Sequence, residues 1–188
     1  MKIQGKKPVC IIFSAPVDNG TAQVLVAAVT NAINDGHDDI HLMISTPGGS
    51  VADGIMVYNV LSALPTHLTT YNVGTVDSIG NVIFMAGKAR IALPTSRFMF
   101  HGVGFDIQAA RFELKDINER KAGIENDQSM IADILVKHTA LKKPEIEQLF
   151  LQAAFLRSDE AHKSGVVHEV RDVHMPQGIP IAQLVFQR

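Results

Sequence analysis

The sequence contains one cysteine, Cys10, in 188 residues. No internal disulfide can form, which points to a reducing compartment. Cys10 sits inside a strand pattern and reads as a small core residue. Long apolar runs are also missing. Val24–Val29 is among the longest, against the roughly 20 residues a membrane span needs. The opening "MKIQGKKPVCIIFSAP" has lysines before an apolar run. That run is only about six residues, too short for a signal-peptide core, and it reads as a strand. Charge of one sign is lacking too: 17 Lys and Arg stand against 19 Asp and Glu, for a formal charge of −2. With no basic stripe and no acidic tail, nothing suggests a nucleic-acid partner. Internal repeats and low-complexity segments are absent. What remains is a cytoplasmic protein without a membrane segment, a single domain spanning 1–188, with 46% hydrophobic residues to build its core.

The chain alternates short β-branched runs with helical patterns. Val9–Phe13 reads as a strand, Thr21–Asn34 as an amphipathic helix closing at Gly36, and Ile40–Ile44 as a second strand. Ser50 opens a helix with Asp53 at capping-box spacing, and Pro65 ends it. Leu68–Val73 is a third strand, Gly74–Ser78 a strand-to-helix turn, and Ile79–Ala86 a short helix stopped by Gly87. Arg90–Leu93 and Phe98–His101 follow as strands. From about Asp106 to Thr139 the chain is long, charged and helix-permissive. Phe112, Leu114, Ile117, Ile124, Met130, Ile131, Ile134 and Leu135 make one face too apolar to be fully exposed. A helix with Pro144 in its first turn comes next, then a short helix from Ser158 to Gly165 and a last strand, Val166–Val170. The tail, with Pro176, Gly178 and Pro180, reads as an extended appendage. Strands alternating with helices imply an α/β fold with a largely parallel sheet.

In such sheets, sites form beyond the carboxyl ends of the strands. Two turns there carry useful atoms: Pro47-Gly48-Gly49, and "GTVDSIG" at 74–80. A serine at a helix start has helix amides beside it, and these stabilise the negative charge that develops in acyl transfer. The plainer reading is that Asp77 or Ser78 caps the helix. A serine nucleophile needs a base, usually histidine. Of eight histidines, His101 ends a strand of the same kind. The other seven, His37, His41, His67, His138, His162, His168 and His174, fall in polar turns or helices. No His, Cys or carboxylate pair has convincing metal-ligand spacing, and neither GxGxxG nor a P-loop pattern occurs. No cofactor and no metal are therefore expected.

Three stretches together, "STPGGSVADGIMVYN", "VGTVDSIGNVIFMAGKARIALPTSRFMFHG" and "FLRSDEAHKSGVVHEV", resemble the Clp protease proteolytic subunit, a family of serine peptidases. The likeness runs from about Val9 to Val170. It implies a crotonase-like fold with a protruding handle helix in the region of about 106–139. It also implies heptameric rings stacked face to face, and hydrolysis of peptides or unfolded proteins in an enclosed chamber. By the same resemblance Ser78 is the nucleophile, His101 the general base, and the Gly49 and Ile79 amides the oxyanion hole.

The sequence departs from the family pattern in three places. The catalytic acid's position falls on Ala153, or on Ala154 one register away, and neither can orient a histidine. Asp159 and Glu160 are near in sequence but start a helix that points them elsewhere. Asp77 replaces a small residue before the serine, where it would crowd the site or raise a neighbouring imidazole's pKa. Little chain precedes the first strand, which leaves docking to an ATPase unfoldase open. Two further readings compete: a ring scaffold or regulatory subunit with little turnover, and a Ser–Lys dyad of the signal peptide peptidase A type using Lys115 or Lys121. Acyl-CoA chemistry on the same fold is a remote one.

Overall fold

The computed structural model describes residues 7–104 and 111–186. Strand β1 (Pro8–Ser14) buries Val9, Cys10, Ile11 and Phe13, the near-continuous apolar run of a strand covered on both faces. Helix α1 (Asn19–Asn34) starts at Asp18, whose carboxylate accepts from Thr21 N–H at 2.9 Å while Thr21 Oγ1 accepts from Asp18 N–H at 3.0 Å. Strand β2 (Asp39–Thr46) alternates, sending Ile40, Leu42 and Ile44 into the core. Helix α2 (Val51–Ala63) returns the chain to the central strand β3 (His67–Asp77).

β3 continues through Gly74–Asp77, where the sequence reads as a turn, because it exchanges partners instead of ending. Thr69–Asn72 pair with β4 (Ala89–Ala92), and Thr75–Asp77 pair with β5 (Arg97–Met99). Asn72 is fully buried at the switch. Its Nδ2 donates to Arg97 O at 2.7 Å and its Oδ1 accepts from Gly74 N–H at 3.1 Å. The short helix α3 (Gly80–Phe84) follows β3, and α4 (Leu114–His138) and α5 (Lys143–Gln152) follow β5. Strand β6 (Phe155–Arg157), which the sequence pattern does not separate from its surroundings, pairs antiparallel with β5. Helix α6 (Ser158–Lys163) and β7 (Glu169–Val170) come next, and β7 joins β4.

The tail is not a free appendage. Strand β8 (Ile181–Gln183) adds to β1 in parallel, and Phe186 meets Phe13 edge-on at 5.9 Å. The described strands run in the order β6-β5-β3-β2-β1-β8, with β4 and β7 branching from the first half of β3. All the pairings other than β5·β6 are parallel, so the carboxyl ends of β1, β2 and β3 lie on one side of the sheet. This agrees with the α/β reading.

The long helix divides in two. Ile131, Ala132 and Leu135 are buried, so one apolar face of that half is covered within the subunit, while Met130 and Val136 stay exposed. Leu114 and Ile117, by contrast, stay 73% and 53% exposed. Residues 106–110 of the region lie outside the described residues. Cys10 is buried, and burial pushes its thiol pKa up.

Candidate active site

The loop between β2 and α2 is held from one side by the end of β1. Val17 N–H donates to Gly48 O at 2.8 Å, and Ser50 N–H donates to Val17 O at 2.7 Å. This is a single parallel bridge centred on Gly49. In that pattern the bracketed residue turns its own N–H and C=O away from the partner strand. Gly49 N–H therefore faces away from β1, and it has no hydrogen-bond partner among the described residues. Only glycine fits here. Gly49 has φ 148°, and a Cβ on it would lie 2.1 Å from Val17 O. The same bridge prevents a full capping box at α2. Ser50 Oγ accepts from Asp53 N–H at 3.4 Å, but Ser50 N–H is committed to Val17.

Across the gap, Ser78 joins β3 to α3 with φ 57°, the left-handed region, which costs a non-glycine residue about 1–3 kcal/mol. Two bonds hold it there: Ser78 N–H to Met99 O at 2.9 Å, and Asn81 N–H to Ser78 O at 3.0 Å. Gly48 makes room for it, since a Cβ on Gly48 would sit 2.6 Å from Ser78 Cβ. Neither Asp77 nor Ser78 caps α3, whose N-cap is Ile79 and has no side-chain bond. The capping alternative therefore fails. Asp77 Oδ1 is engaged by the Thr75 hydroxyl at 2.6 Å. Ile79 buries its side chain, while its N–H, at the open start of a helix, has no partner among the described residues.

His101 follows β5 and is bracketed by the α5–β6 turn. Phe100 N–H donates to Ala154 O at 2.8 Å and Gly102 N–H to Phe150 O at 3.3 Å. The histidine is exposed, and its ring makes no hydrogen bond among the described residues. Ala153 lies in the bracketing turn, as the left-handed cap of α5.

Gly49, Ser78, Ile79 and His101 all line one cavity of about 100 Å³. Its remaining wall is mostly apolar and includes Phe100, Ile131, Leu135 and Phe150. Asn81 is the residue that sequence reasoning missed. It is 2% exposed and lines the same cavity; its Nδ2 donates to Met99 O at 2.8 Å, while its Oδ1 is buried without a partner. No local sequence signal marks it; its burial and unpaired oxygen single it out.

The competing residues lie elsewhere. Lys115 and Lys121 are 82% and 70% exposed and pair with Glu119 and Glu125 along α4. Glu160 accepts from Arg157 N–H at 2.8 Å, and Asp159 is exposed. Most of the other histidines are partly exposed, and five are tied into the structure, among them His67, whose Nδ1 meets Asp39 Oδ1 at 3.0 Å, and His37, whose Nδ1 meets Lys7 O at 3.3 Å. His41, in β2 rather than a turn, meets Tyr71 OH at 2.7 Å; His138 meets Tyr58 OH at 2.7 Å; and His168 Nδ1 accepts from Arg90 N–H at 3.2 Å.

An α/β domain with a strained serine at a strand-to-helix turn, two unpartnered amides and an imidazole around one cavity has the parts that acyl transfer needs. The family model described as Clp protease matches residues 6–174. The chain belongs to the Clp protease family, a family of peptidases, which act as hydrolases.

Proposed function

We propose that the protein is a serine endopeptidase with Ser78 as nucleophile, His101 as general base, and the Gly49 and Ile79 amides as oxyanion hole. The observation that carries this reading is the convergence of those four groups on one cavity, with both amides left without partners. In the reaction His101 takes the Ser78 hydroxyl proton as Oγ attacks the peptide carbonyl carbon. The carbonyl oxygen gains the charge and is held by the two N–H groups. His101 then gives its proton to the departing amine, leaving an acyl-serine. Water repeats the sequence with His101 as base, releasing the acid and free Ser78. No cofactor enters any step.

The fold proposed for this reading is the crotonase-like one of the family, with α4 as the handle through which heptameric rings meet face to face. Ala153 favours slow turnover, because the imidazole lacks the acid that fixes its tautomer and stabilises its charged form. A weak or regulatory ring subunit is the second reading for that reason. The exposed positions of Lys115 and Lys121 give the Ser–Lys reading no support.

A fluorophosphonate probe separates an activated serine from an inert one. Wild type should be labelled and Ser78→Ala should not. Folded, assembled wild type that resists labelling would remove the enzyme reading.

A further inference from the structure

The carbonyl of Met99 accepts twice. Ser78 N–H donates to it at 2.9 Å, the last rung of the β3·β5 ladder, and Asn81 Nδ2 donates to it at 2.8 Å. One donor already satisfies a buried carbonyl, so Met99 O does not need the second bond. Nor does the bond suit Asn81 itself. The residue is 2% exposed, and turning its N–H to Met99 leaves its own Oδ1 buried without a partner. An aliphatic side chain of similar size would avoid that penalty. On stability alone an asparagine is poorly suited to this position, so its donor serves something else.

The bond joins the segments that carry Ser78 and His101. Asn81 is anchored to the first by its backbone, whose N–H donates to Ser78 O at 3.0 Å. Met99 belongs to the second and stands two residues before His101. That segment is held from its other side as well, by Phe100 N–H on Ala154 O and Gly102 N–H on Phe150 O. The turn there offers Ala153 and Ala154 rather than a carboxylate, so the placement of the imidazole relative to Ser78 rests on backbone. Ser78 itself sits at φ 57°, a strained conformation that persists only where its surroundings hold it. We infer, on the peptidase reading above, that Asn81 is a positioning residue. Its carboxamide clamps the carboxyl end of β5 to the nucleophile turn and so sets how Ser78 Oγ meets the His101 ring. It touches neither the substrate nor the proton that moves. Without it the Ser78 N–H bond alone joins the two segments, and the turn pivots about that bond. The fold survives, while the alignment that proton transfer requires is lost.

Two variants remove the donor while disturbing the packing differently: Asn81→Leu keeps the volume, and Asn81→Ala leaves space. Each is compared with wild type in hydrolysis of a fluorogenic peptide and in urea midpoint. The rate at which a fluorophosphonate labels Ser78 is followed from about pH 5.5 to 8.5. In wild type that rate should climb with pH as the imidazole loses its proton and becomes a base. In both variants kcat should fall about 10- to 100-fold with KM unchanged. Labelling should slow by a similar factor and lose its climb with pH, because the serine no longer meets the imidazole. The urea midpoint of Asn81→Leu should equal or exceed that of wild type, since the orphaned oxygen is gone. Wild-type rates and pH profile in folded Asn81→Leu would overturn the positioning role and leave the peptidase reading standing. A rate loss that tracks a lowered urea midpoint in both variants, or a raised KM with kcat held, would overturn it too. If wild type neither hydrolyses the peptide nor labels, the peptidase reading falls, and this inference with it.

Discussion

Ala153 holds φ 48° and ψ 54° at the end of α5, a conformation that strains any residue with a Cβ. Glycine relieves the strain, and asparagine or aspartate tolerates it better than alanine does. Ala153→Gly should therefore raise stability by about 0.5–1 kcal/mol, readable as a higher urea midpoint at unchanged slope. Ala153→Asp asks a different question at the same backbone. The turn that contains Ala153 holds Phe100 and Gly102, the neighbours of His101, so the variant tests whether a carboxylate from this turn reaches the imidazole. Peptide hydrolysis should rise, up to about 10⁴-fold if the tautomer is all that is missing. Ala154→Asp is the register control. Ala154 already gives its carbonyl to Phe100, and an acid there should not help. If Ala153→Asp stays folded and assembled but gains nothing over Ala153→Gly, the missing acid does not limit the rate. At this scale the sequence was informative where backbone chemistry is unusual. Pro47-Gly48-Gly49 and Ser78 stood out because a strained turn needs particular residues. Asn81 did not stand out, because an asparagine in a short helix has no local signature; only burial reveals its unpaired oxygen.

Among the elements, Arg90 on β4 ties several together. It is 4% exposed, and its guanidinium donates to His138 O at 2.6 Å, Gly165 O at 3.0 Å and Val166 O at 2.9 Å. His138 is the last residue of α4, and Gly165 follows α6, so a buried cation covers carbonyls at two helix ends. Arg90→Met should cost on the order of 3 kcal/mol, because three acceptors lose their donor. Two histidines border this cation. Burial, and then the Arg90 charge, holds the His138 imidazole below its usual pKa; the same two causes lower His168. A lowered folded-state pKa means the unfolded chain binds protons first as the pH drops. Stability should thus be full above about pH 6.5 and decline below it. Thermal midpoints at pH 7.5 and 5.5 measure the decline. It should shrink in the His138→Gln, His168→Gln double variant, and an unchanged slope there would mean that other groups carry it. None of this network was legible in the sequence, since Arg90 and His138 are 48 residues apart. The strand and helix order was legible, because hydrophobic periodicity is local. The branching of β3 and the docking of β8 were not, because which strand pairs with which depends on contacts distant in sequence.

Across the whole molecule, the first three turns of α4 are unexplained by the subunit alone. Leu114 and Ile117 are exposed, and Gly123 sits mid-helix with nothing within 4 Å of where a Cβ would be. Glu113 and Asp116 form a capping box, and the Lys115–Glu119 and Lys121–Glu125 pairs add i,i+4 support. Such pairs give only a few tenths of a kcal/mol each, and an isolated helical stretch this short is marginal in water. A mid-helix glycine costs a further ~1 kcal/mol relative to alanine. Exposed apolar residues and an unforced glycine make sense together if a second copy packs here, with Gly123 at the closest approach of the two helices. Described residues alone would tolerate Gly123→Ala, and the isolated subunit should become slightly more stable. If the rings of the proposed assembly meet here, the added methyl should instead weaken that contact, and Ile117→Glu should weaken it more by burying a charge. Mass photometry at micromolar and nanomolar concentrations follows the balance. Wild type should persist as the larger species, while both variants shift towards single rings with Ser78 labelling retained within each ring. If Gly123→Ala and Ile117→Glu both leave the mass distribution untouched, the rings do not meet through this half of α4.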